Sequence, residues 1–153
     1  MDIVIITQNI IFFMHRLIYP CLWFDNNAKE AADFYCSIFK SSKILQNSPI
    51  VTTFELNGTK FMGLNGGPKY KASPAVSFVI ECDSQVEIDH YWSKLGEGGR
   101  YDMCGWLADK YGISWQIVPS ILPNLMSEPE KSERVMQAFL KMKKFDIQTL
   151  LDA

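Results

Sequence analysis

The feature that most constrains this chain is a repeated plan. Residues 17–25, LIYPCLWFD, are followed by NNAKEAADFYCSIF, and residues 75–83, AVSFVIECD, are followed by SQVEIDHYWSKL. Each is an apolar run closed by an aspartate (Asp25, Asp83), then an amphipathic segment containing Asp-x-Tyr: Asp33 and Tyr35, then Asp89 and Tyr91. The distance between the two copies is too long for a solenoid repeat and suits a duplicated module.

Local chemistry fixes the helices. Ser84-x-x-Glu87 fits the capping-box pattern and Asn27-x-x-Glu30 is a weaker version of it. Apolar residues recur at i, i+3, i+4 and i+7, as Ala31, Phe34, Tyr35, Ile38 and as Ile88, Tyr91, Trp92, Leu95. Gly96 is a stop for the second helix. Short strands follow each helix. VTTFELNGTKFMGLN is a hairpin, because Asn57-Gly58 supplies the positive φ angles of a two-residue turn. In the second copy RYDMCGW and ISWQIV flank the turn LADKYG. The chain therefore reads β-α-β-β-β twice, an α+β fold with modules over about 16–66 and 74–119 joined through Gly66, Gly67 and Pro68. A tail over 120–153 is interrupted by Pro123 and Pro129, and Ser127-x-x-Glu130 is expected to cap a final helix with Val135, Ala138, Phe139 and Met142 on one face.

Composition narrows the function classes. Of 153 residues 21% are charged, and the net charge of −2 gives no electrostatic footprint for nucleic acid or an anionic membrane; Lys141, Lys143 and Lys144 read as a solvated helix end. Cys21, Cys36, Cys82 and Cys104 form no CxxC pair and read as reduced, small apolar residues. Residues 1–13, MDIVIITQNIIFF, lack the basic start and small-residue cleavage site of a signal peptide, and Gln8 and Asn9 interrupt a membrane span. They are read as an extension outside the fold, and the remainder, 14–153, as one domain of a cytoplasmic protein.

PCLWFD (20–25), EAADFY (30–35), FELNGTKFMGLNGGP (54–68), VSFVIEC (76–82) and YDMCGWLADKYGISWQIVP (101–119) together resemble the vicinal oxygen chelate superfamily of glyoxalases, extradiol dioxygenases and bleomycin-resistance proteins. Within it the chain is similar to the PhnB-like branch, also labelled 3-demethylubiquinone-9 3-methyltransferase-like. The resemblance implies curved mixed sheets in the glyoxalase manner, a C-terminal helix, a homodimer, and a ligand site on the concave sheet face. Metal-dependent members place ligands on the first strand of each module and on the hairpin strands. Counting back from Asp25 and Asp83, those positions become Ile18, Val76, Gly63 and Gln116, three of which offer no ligating side chain. No metal and no other cofactor is therefore expected. His15 and His90 do not rebuild a site, since His90 falls opposite the apolar stripe of its helix.

By the same counting, Ile18, Pro20, Leu22, Phe24, Val76, Phe78 and Ile80 face the concavity with Phe61, Ser114, Gln116 and Val118. Tyr19, Cys21 and Trp23 are then expected under the helix. Leu22, Phe24, Phe61, Phe78, Trp106 and Gln116 are the candidate ligand-binding residues, an apolar wall with a polar point. The same residue types would also fill a core or a subunit interface. Three functions compete: a metal-independent binder of a small organic molecule, the leading one; an enzyme of lyase, isomerase or dioxygenase type, with or without metal; and a purely structural dimer. Cys104 and Asp102 are the candidate catalytic groups. Neither NGGP nor GEGG stands between a strand and a helix, which argues against methyltransferase chemistry.

Overall fold

In the computed structural model, residues 17–153 are described. The proposed extension 1–13 and His15 lie outside them. The element order is β1 (Cys21–Phe24), α1 (Ala28–Ile38), β2 (Ser42–Asn47), β3 (Val51–Leu56), β4 (Thr59–Asn65), then β5 (Ser77–Cys82), α2 (Gln85–Gly96), β6 (Arg100–Tyr101), β7 (Trp106–Ala108) and β8 (Ser114–Pro119). The β-α-β-β-β plan thus occurs twice. Each copy makes a four-stranded mixed sheet, in the order β1-β4-β3-β2 and β5-β8-β7-β6. In each the first strand runs parallel to the last, and the other pairings are antiparallel.

The turn chemistry holds. Asn57 and Gly58 both have positive φ, 47° and 82°, and Thr59 opens the return strand. At the start of α2, Ser84 accepts from the Glu87 amide and Glu87 reaches back to the Asp83 amide, a reciprocal cap displaced by one residue. The first helix differs. Asn27 makes no side-chain cap, and the Ala28 amide donates instead to Asn65 Oδ1 at the end of β4. A long-range partner satisfies a helix end that its own flanking residue leaves open.

The tail is the larger departure. Three short helices replace the single one expected: α3 (Leu122–Ser127), α4 (Pro129–Phe139) and α5 (Ile147–Leu151). Ser127 does not cap α4, because its hydroxyl turns back to the Asn124 carbonyl. Val135 is fully buried, whereas Met142 lies beyond the helix. Asp146 caps α5 through the Thr149 amide. The tail is tied to α2: Gln85 accepts from the Ile147 amide and donates to the Phe145 carbonyl, and Lys144 pairs with Asp89.

The core lies between the sheets. Phe24, Phe54 and Phe61 point from the first sheet towards Ala28, Ala31 and Tyr35 of α1, and Trp115 and Ile117 point from the second towards α2; all are buried. The two sets meet. Phe61 contacts Phe78 edge-on at 5.3 Å, and Trp115 lies 5.5 Å from Tyr35 and 5.7 Å from Phe39. Aromatic pairs of this kind are worth about 0.5–1.5 kcal/mol each beyond the area they bury. No helix among the described residues is long and apolar enough to cross a membrane.

Candidate functional site

Because the two sheets share a core on their helix-bearing faces, the opposite face of each is left for other partners. Which residues stand there follows from strand register. Trp115 and Ile117 are buried, so Ser114, Gln116 and Val118 take the open face of β8. Pairing then places Ser77, Val79 and Glu81 of β5 and Trp106 of β7 beside them. On the first sheet Leu22 and Phe24 are buried, which leaves Cys21 and Trp23 on the open face with Met62 and Leu64 of β4.

This corrects part of the expected wall. Gln116, Trp106, Ser114 and Val118 stand on the open face. Leu22, Phe24, Phe61, Phe78 and Ile80 turn to the core side, and Cys21 and Trp23, expected under the helix, are open. Counting from Asp25 and Asp83 gave the wrong phase on the two first strands. The residues that tuck beneath each helix are Phe24 and Cys82, immediately before the aspartates. Ile18, Pro20 and Val76 precede the strands, and Ile18 and Val76 are solvent-exposed.

Gln116 is held in place: its amide Nε2 donates to Ser77 Oγ at 2.9 Å across the β5–β8 pair. The amide carbonyl, its second N–H and the Ser77 hydroxyl proton remain to meet a ligand. Around them stand Val79, Val118 and Trp106, with the exposed Glu81 beside Val118.

The residues do not suit a divalent cation. Gly63 faces the core, where a Cβ would lie 3.0 Å from the Ala28 methyl. Ser77 and Gln116 are neutral and bonded to each other, a poor donor set for a catalytic metal. Among the described residues no group of three His, Cys, Asp or Glu side chains gathers to hold an ion. His90 projects from α2 to the Ile38 carbonyl, 3.1 Å away, joining the two helices.

The two catalytic candidates are engaged with other partners. Cys104 sits at φ 56°, its thiol 3.7 Å from the Phe139 carbonyl and its amide bonded to the Met142 carbonyl. It anchors the tail. Asp102 is half exposed and forked by Arg100 at 2.8–3.0 Å, which lowers its pKa below the ordinary carboxylate value.

One important residue was not singled out from the sequence. Asp109, in the β7–β8 turn, is 3% exposed and accepts four hydrogen bonds, from Tyr35 Oη, Trp115 Nε1 and the amides of Tyr111 and Ile113, at 2.8–3.1 Å. Burial raises its pKa, and the four donors oppose that shift. Tyr35 belongs to the first module and Trp115 to the second, so one carboxylate bolts the modules together. The available signal was an aspartate opening a Lys-Tyr-Gly turn between two apolar strands.

Residues 16–118 match the family described as 3-demethylubiquinone-9 3-methyltransferase. The chain belongs to this family, in its PhnB-like branch of the glyoxalase superfamily. A similar solved structure is a PhnB protein from Bacillus cereus, with 32% identity, covering 69% of this chain and all of that one, at a TM-score of 0.63. Protein PA1353 from Pseudomonas aeruginosa is 19% identical, covers 68% of this chain and 97% of its own, and has a TM-score of 0.59. The fosfomycin resistance protein FosX from Listeria monocytogenes, solved with Mn(II) and sulfate, is 13% identical over 74% of this chain and 96% of its own, at 0.57, and shares the fold. No curated protein matches the chain.

Proposed function

We propose that this PhnB-like protein binds a small organic molecule, without a metal, on the open sheet face around Gln116, and that it does so as a homodimer in which the open face of the first sheet of one subunit closes over the second sheet of the other. The observation that carries this reading is the Ser77–Gln116 pair beside Val79, Val118 and Trp106 on the open face, with the Glu81 carboxylate next to Val118. A half-buried amide fixed at one hydrogen is a directional anchor, and its remaining donor and acceptor orient a ligand while Trp106 and Val79 supply apolar contact. Val79 is 56% exposed and Met62 and Leu64 are half-buried on the face that would meet it, so closing the two surfaces removes apolar area from water. The label of methyltransferase is not adopted, because no glycine-rich loop joins a strand to a helix N-terminus in either module.

Native mass spectrometry on gently purified, chelator-free protein tests the reading. A dimer retaining an organic mass that Gln116→Leu or Trp106→Ala releases is the expected result. A monomer, or a stoichiometric divalent cation, overturns it.

A further inference from the structure

The linker between the modules does more than connect them. It is clasped to β1 through Trp23, whose indole donates to the Gly67 carbonyl at 2.7 Å and meets Tyr70 edge-on at 5.0 Å. Only glycine fits at 66, where a Cβ would lie 2.2 Å from the Trp23 ring. Between this clasp and the two sheets is a crevice of about 280 Å³, walled by Trp23, Phe78, Ile113 and Val76. Among the ten residues that line it the only charged one is Lys71, and no carboxylate is present. At its wall Ser114 is 3% exposed, and Ser73 is a second hydroxyl in the lining.

We infer that this crevice is a second, intrachain site for a small apolar anion, a carboxylate carried on an aromatic or branched hydrocarbon frame. Its volume lies just below that of drug-sized pockets, which limits the guest to a single ring or its equivalent. Trp23 and Phe78 offer the apolar contact, Lys71 the charge, and Ser114 a neutral donor. An amine would meet a like charge, and a neutral hydrocarbon would leave Lys71 without a counter-charge. The site is complete within one chain, so it stands whether or not the open faces pair in a dimer.

The test is an NMR titration of the full chain with benzoate, its neutral isostere benzamide, and benzylammonium. Benzoate is expected to shift the Trp23 indole and the amides of Lys71–Val76 and Ser114 saturably, and to bind about tenfold more tightly than benzamide, as expected when one hydrogen-bonded charge is lost. Lys71→Gln should erase that preference, Ser114→Ala should weaken both ligands, and Gln116→Leu should alter neither. Shifts centred on Ser77, Gln116 and Trp106, equal affinities for benzoate and benzamide in the unaltered protein, or no saturable shift with any probe would each overturn the assignment.

Discussion

In the first module β2 and β3 are six residues long each, and β3 runs on into β4 through the tight Asn57-Gly58 turn; in the second, the equivalent β6 and β7 have two and three residues. The second hairpin gives up ladder bonds at Cys104 and Gly105, both left-handed, yet their amides are not orphaned. They donate to the Met142 and Lys143 carbonyls of the tail at 2.8 and 2.7 Å. One topology therefore closes in two ways. The first module satisfies its backbone within the sheet, and the second borrows acceptors from a segment about 40 residues further on. The second also carries the buried carboxylate that locks the modules together, so it is the more dependent on contacts distant in sequence.

The largest way to break this comparison is Asp109→Ala. It strips the acceptor from two side chains and two amides, and should cost about 3 kcal/mol or more in denaturant unfolding. Tyr35→Phe, which removes one of those donors, should cost about 1 kcal/mol. A cost near zero for Asp109→Ala would mean that the modules are held by their rings alone.

Next come paired glycines. At Gly105, with φ 76°, a methyl would lie 2.5 Å from the Phe145 ring and 2.6 Å from the Ile117 carbonyl; at Gly58, with φ 82°, it would meet nothing. Gly58→Ala should therefore cost only the left-handed penalty of about 1–2 kcal/mol. Gly105→Ala should cost more and also raise hydrogen exchange throughout α5. Equal losses would show that the tail does not support the second hairpin.

A pH series sharpens the role of the carboxylate. Its folded pKa is raised above 3.8, so the folded state holds the proton more tightly than the unfolded chain does. The associated stability is complete below the unfolded value and is lost as pH rises through the folded one. The stability of the native protein minus that of Asp109→Asn should fall with rising pH across that window. A flat difference would argue against the burial effect. The smallest expected change is Asp102→Asn, an exposed partner of Arg100, which should leave the unfolding midpoint unmoved and any ligand binding intact.

How much of the site was legible varied residue by residue. Gln116 was expected on the open face with Ser114 and Val118, and alternation along β8 sets them there opposite the buried Trp115 and Ile117. The first strands offered no such anchor. LIYPCLWFD and AVSFVIECD are apolar at odd and even positions alike, and a period of two has two equivalent phases. Asp109 was missed for a different reason, since its partners Tyr35 and Trp115 come together only when α1 and β8 do.

By itself the sequence determined the duplicated module, the Asn57-Gly58 turn, the Ser84–Glu87 cap and the family, because these rest on residues close together or on patterns repeated along the chain. Tertiary structure alone decided which strand face opens, what Cys104 anchors, how the tail divides and where the buried carboxylate binds. Each of those depends on a partner far away in sequence, and side-chain periodicity carries no information about which neighbour will fill the space beside it.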